Sequence, residues 1–117
     1  MSKRRAGLAV ERREFVARLL AARWRCELLG LIGNSDCTFD DIQQARIFKA
    51  IGLCSGRAVD VHEIVGRGRS GGVFVPSQGL TDDDVLCLCR NCHTFVTDQP
   101  LIARLVGAER HYQPKET

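Results

Sequence analysis

The sequence predicts a small α+β domain stapled by a four-cysteine zinc site, and three features carry that expectation. Cys89 and Cys92 form a Cys-x-x-Cys pair with His93 directly after it, the ligand spacing of a structural zinc knuckle. Cys26 and Cys54 offer the two further thiols that a tetrahedral site needs. A valine-rich run at 57–65 and an apolar run at 85–88 flank a glycine-rich stretch, which reads as a hairpin leading into a helix.

At 117 residues the chain reads as one domain, of a size that buries roughly two-thirds of its unfolded surface. Five phenylalanines, one tryptophan and one tyrosine are set against eleven glycines, so the core is modest. A structural zinc would strengthen it, because its binding free energy of about 10–16 kcal/mol is folding free energy. Six cysteines are also compatible with three disulfides. Against that, the apolar run after Met1–Arg5 ends at Val10 and is followed by Glu11-Arg12-Arg13, which is no secretory leader. No stretch approaches the ~20 apolar residues of a membrane span. The expectation is a reduced, intracellular chain that uses cysteine for metal, with no membrane partner.

Charge is unevenly placed. Residues 1–25 carry eight Lys/Arg against Glu11 and Glu14, whereas the remainder has more acids than bases. A basic arm, residues 1–25, beside an acidic body suits a polyanion such as DNA. Within the arm, Phe15, Val16, Leu19, Leu20 and Trp24 recur at helical spacing over 10–25, with Arg12, Arg13, Arg18, Arg23 and Arg25 flanking them. The apolar stripe reads as core. The arginines, Arg18 and Arg23 among them, read as phosphate contacts or as plain solubility.

Residues 30–37 carry two glycines and an Asn-Ser-Asp cluster, a loop signal. A helix is expected from about Phe39 to Ile51, capped by Thr38, burying Ile42, Ile47, Phe48 and Ile51, and ending at Gly52. Residues 29–52 thus read as a helical insertion between two zinc ligands. In the first strand, alternation places Val59, Val61 and Glu63 on one face and Asp60, His62 and Ile64 on the other. The loop at 66–72 carries Arg67 and Arg69, candidate phosphate contacts, and residues 73–75 allow a short strand. Val85–Leu88 pairs as the second strand, and helix follows over about Cys92–Thr97. Pro100 opens a last helix that Gly107 closes, before a polar tail at 107–117. Cys87 and Cys37 read as spectators, with Cys37 the alternative to Cys26 as a ligand.

CSGRA at 54–58, DVHEIVGRGRSGG at 60–72 and DVLCLCRNCHTFVTDQP at 84–100 together resemble the HNH endonuclease family, and most of all its small four-cysteine members of phages and prophages. The resemblance spans about residues 24–106 apart from the insertion. It implies a ββα-metal core over 26–106 and metal-dependent hydrolysis of a DNA phosphodiester bond, by nicking or double-strand cutting. It implies structural Zn²⁺ on Cys26, Cys54, Cys89 and Cys92, and a second, catalytic divalent ion such as Mg²⁺, Mn²⁺ or Ni²⁺. It also implies a setting in the cytoplasm of a bacterial host, where terminase or other packaging proteins are partners.

Carried over by position, His62 and His93 match metal ligands, Glu63 takes the place of the usual base, and Asp84 takes that of the family's asparagine. Thr97 replaces a further histidine found in many members. Two assignments follow. Either His62 and His93 hold the ion while Glu63 deprotonates water, or His62 is the base and Asp60, Glu63 or Asp84 helps hold the ion. Motif register favours the first and strand alternation the second. A zinc-stapled DNA-binding or adaptor module without catalysis is the alternative function.

Overall fold

The computed structural model describes residues 3–64 and 75–110. Five helices and two strands follow in the order α1 (Lys3–Ala22), α2 (Leu28–Gly33), α3 (Asp41–Leu53), β1 (Asp60–Glu63), β2 (Val85–Leu88), α4 (Arg90–Asp98) and α5 (Pro100–Val106). Short 3₁₀ turns at Pro76–Gln78 and Asp82–Asp84 lead into β2. The fold is α+β, with a two-stranded antiparallel sheet pairing Asp60 with Leu88, Val61 with Cys87, His62 with Leu86 and Glu63 with Val85.

The sheet is covered on both faces, which explains why β2 is an unbroken apolar run. Val85 and Cys87 join Phe15 and Leu19 of α1 in one buried cluster, with Val61 against it. Leu86 and Leu88 join Val96 of α4 and Ala103 and Val106 of α5 in the other. Cross-strand partners share a face, so Val61 and Glu63 look toward α1 while Asp60 and His62 look toward α4 and α5. The alternation read from the sequence therefore holds.

Several local expectations change. Helix α1 begins at Lys3 rather than near Val10, since one internal glycine, Gly7, costs a helix only about 1 kcal/mol. Trp24 leaves the core stripe and is 50% exposed. The chain has there turned extended: the Trp24 carbonyl accepts the Ala58 N–H, and Arg25 and Arg57 form an antiparallel bridge. The expected loop at 30–37 is in its first part helix α2, anchored by the fully buried Leu28.

Asp40, not Thr38, caps α3: its carboxylate accepts the Gln43 N–H at 2.7 Å and the Gln43 side chain accepts the Asp40 N–H at 3.0 Å. A reciprocal capping box satisfies two end groups at once and outcompetes a lone threonine. Of the expected buried side of α3 only Ile47 is buried, while Ile42 and Phe48 are 64% and 69% exposed and Ile51 is exposed too. Among the described residues α4 is the main element packed on α3, and one such neighbour covers only one narrow stripe of a helix. It runs on past Gly52 to Leu53.

Strand β1 is shorter than the 57–65 run, because residue 57 pairs with Arg25 instead. The glycine-rich loop with Arg67 and Arg69, residues 73–74 and the tail from 111 lie outside the described residues. Val75 is buried but belongs to no strand. The last helix keeps the expected bounds, with Pro100 in its first turn and Gly107 closing it at φ 84°.

One tie was not foreseen. The Arg23 guanidinium donates to both oxygens of Glu27 (2.8 and 2.6 Å) and to the carbonyls of Asp82 (2.7 Å) and Val85 (2.9 Å). Glu27 in turn accepts the Cys87 N–H and donates its own N–H to the Cys87 carbonyl, sealing the outer edge of β2. Burial works against ionisation of Glu27, but Arg23 and the Cys87 N–H outweigh it and hold the carboxyl below its ordinary range. Arg23 thus serves as a structural tie, a role that its reading as a phosphate contact or a solubilising residue did not include. Arg23→Ala should cost about 2 kcal/mol, since it strips a half-buried carboxylate of its charged partner; urea unfolding of the variant beside the wild type reads this directly.

Candidate metal centre

The Sγ atoms of Cys26, Cys54, Cys89 and Cys92 all lie within 4.8 Å of one another. Each thiol is placed by a turn. Cys26 follows the 25–57 bridge, its N–H bonded to the Gly56 carbonyl at 2.9 Å. Cys54 ends α3, and Gly56 two residues on takes φ 82°, a conformation that a side chain would strain. Cys89 caps the first turn of α4, its sulfur accepting the Cys92 N–H at 3.4 Å. The two halves therefore come from the start of the sheet region and from the β2–α4 junction.

All six cysteines are free thiols, and the Cys89 and Cys54 sulfurs are 3.9 Å apart. That is nearly the ~3.8 Å edge of a tetrahedron built on Zn–S bonds of about 2.3 Å, and far beyond a disulfide bond. The quartet needs a cation to ionise fully. The Cys26 thiol is pulled down to about 5, first by its hydrogen bond with Cys92, and the same contact pushes Cys92 up. Such a donor set fits a structural metal such as zinc, which holds all four sulfurs as thiolates. Cys37 takes no part, donating to the Leu105 carbonyl. Cys87 is buried on the α1 face, and burial pushes its thiol up.

At the first turn of α4 two histidines meet. The His62 and His93 ring centroids are 5.3 Å apart at 62°. His62 Nε2 donates to the Ala108 carbonyl at 3.0 Å; a carbonyl only accepts, so in the neutral ring Nδ1 keeps the lone pair. Burial lowers the His62 pKa below the ordinary 6.5, more than the Ala108 contact raises it. His93 Nδ1 donates to Asp60 Oδ2 at 3.1 Å, which leaves Nε2 as its lone-pair nitrogen. Arg90 holds both oxygens of Asp60, at 2.8 and 3.0 Å. Asp60 thus orients His93, and its oxygens are already occupied. Thr97, one turn after His93, bonds back to the His93 carbonyl.

Glu63 does not join this pair. It lies on the α1 face of β1 in an ion pair with Arg12 at 3.0 Å. Adjacent strand residues point to opposite faces, so Glu63 is turned away from the histidines both as the base of the first assignment and as a metal ligand of the second. Asp84 Oδ2 accepts the Thr81 N–H and hydroxyl, both at 2.9 Å, and so caps a turn. Arg18 is exposed and paired with Asp82 at 2.9 Å. Among the described residues the thiol quartet is the one group of three or more potential ligands drawn together this closely.

Asp60 and Arg90 are the site residues that the motif pattern under-weighted. The signal was present: Asp60 shares the His62 face by alternation, and Arg90 and His93 are three apart on one helix. A cleft of about 370 Å³ opens elsewhere, between α3 and α4, and neither histidine lines it. Among the described residues no helix is long and apolar enough to cross a membrane. No protein-family model, no curated protein and no solved structure matches this chain.

Proposed function

We propose that this chain is a zinc-stapled, metal-dependent DNA endonuclease of the HNH type that nicks or cuts a phosphodiester bond. One observation supports it above the others: His62 and His93 face each other at 5.3 Å, each with one ring nitrogen committed to a fixed acceptor. His93, oriented by Asp60, offers Nε2 to a divalent ion. A bound Mg²⁺, Mn²⁺ or Ni²⁺ would stabilise charge on the phosphate and the leaving 3′ oxygen. His62 Nδ1 takes the proton of the attacking water, and burial keeps that ring neutral. A role in phage genome processing beside terminase or other packaging proteins extends the same reading.

The second reading is a zinc-stapled DNA-binding or adaptor module. It is favoured by the engagement of two expected catalytic carboxylates elsewhere, Glu63 with Arg12 and Asp84 with Thr81. Plasmid nicking decides between them. Supercoiled DNA should be relaxed by the zinc-loaded protein once Mg²⁺, Mn²⁺ or Ni²⁺ is added, and left intact after that ion is removed while zinc is retained. Tight binding without nicking under every ion would establish the module instead.

A further inference from the structure

A second cluster lies at the α1–β1 junction, apart from the histidine pair. Trp24 is half exposed, and the Arg25 guanidinium stacks over its ring at 4.8 Å. Arg57 sits directly opposite Arg25 across the isolated antiparallel bridge. Side chains so opposed leave the backbone about 5 Å apart, and like charges in that register repel. Elsewhere Arg12, Arg18, Arg23 and Arg90 each rest on a carboxylate. Arg25 and Arg57 have no carboxylate partner among the described residues. Two exposed cations held face to face, beside an exposed indole, form a site for an anion that carries an aromatic face.

The platform is also rigid. Arg25 precedes Cys26 and Arg57 follows Cys54 by three residues, so both thiol anchors flank it. The Cys26 N–H to Gly56 carbonyl bond and the Ala58 N–H to Trp24 carbonyl bond pin the two segments together. Little ordering is then required on binding, which favours affinity.

We propose that Trp24, Arg25 and Arg57 form a contact for single-stranded nucleic acid, in which an unpaired base stacks on Trp24 and the neighbouring phosphates lie between the two arginines. The inference takes from the proposed function only that the ligand is nucleic acid. A base supplies the π-face and the backbone supplies the anion, a pairing that single-strand binders use. A polyanion without bases could use the arginines but not the indole.

Trp24 is the chain's single tryptophan, so its fluorescence reports this site alone. The zinc-loaded full chain, with no other divalent ion added, is titrated with a 12-nucleotide oligothymidylate, the corresponding duplex and heparin. Saturable quenching of Trp24 by the single strand, and much weaker quenching by duplex and heparin, is the expected result. Arg25→Gln with Arg57→Gln should reduce the salt slope of binding by about 1.4, at ~0.7 per phosphate contact on a single strand. Trp24→Leu should weaken a fluorescein-labelled strand about tenfold. Binding without quenching, equal quenching by heparin, or unchanged affinity in both variants overturns the proposal. A chain that quenches but never cuts retains this site and loses the nuclease reading; one that cuts without quenching does the reverse.

Discussion

Replacing Cys92 by serine should abolish the fold, not merely weaken it. Cys92 is fully buried within the thiol quartet, and serine is a poor replacement for a thiolate on zinc. The domain has little else to rely on. Its sheet is two strands of four residues, a size only marginally stable without packing or a staple. Natural domains are stable by roughly 5–15 kcal/mol, and a structural zinc contributes an amount of the same order. Losing it removes most or all of that margin. The purified Cys92→Ser protein should carry less than one zinc per chain, lose its far-ultraviolet helix signal and show no cooperative melt. Chelation of the wild type should do the same reversibly, and Cys37→Ser, outside the quartet, should leave both zinc and fold intact. A zinc-free Cys92→Ser protein melting within a few degrees of wild type would sink the staple.

Acid should act on the same centre. Protons compete with the metal for thiolates, so zinc affinity falls as pH falls. His62 adds to the trend. Its folded pKa lies below the ordinary 6.5, so between those two values the unfolded chain binds more protons than the folded one, and stability declines as pH drops through the window.

The parts of this molecule that were legible in its sequence are those set by local chemistry. Pro100 and Gly107 bound α5 because each acts through its own φ angle. Cys89 and Cys92 were recognisable by their spacing, whereas the choice of Cys26 over Cys37 turned on which sulfur the fold brings to the other three. Burial on α3 was not legible: Ile42 and Phe48 look like core residues by periodicity, yet among the described residues α4 is the main element against that helix and leaves both exposed. The Asp40 cap was missed because Thr38 offered a similar signal, and the choice turned on Gln43 reaching back to the Asp40 N–H. Trp24 shows the same limit. Its spacing matched the α1 stripe, but the bridge to Arg57, more than thirty residues on, draws it out.

Glu63 is the instructive conflict, and it leads to the second large effect. Motif register put Glu63 in the site; strand alternation put it on the far face, where it pairs with Arg12. The sheet decides, because the alternation is enforced along the strand by a core on each side. Under the proposed function, His62→Ala should therefore reduce nicking by about 10²- to 10⁴-fold, the usual contribution of a general base, while Glu63→Gln retains most activity. The His62→Ala protein must keep its zinc and its melt for the comparison to count. The pH profile should carry the same mark. A base works only when neutral, and burial depresses the His62 pKa below 6.5, so the rate should rise on a limb centred below that value and be level from pH 7 upward. If Glu63→Gln were instead the inactive variant, with His62→Ala still cutting, the base would be the glutamate and the ion pair with Arg12 would have to open during catalysis.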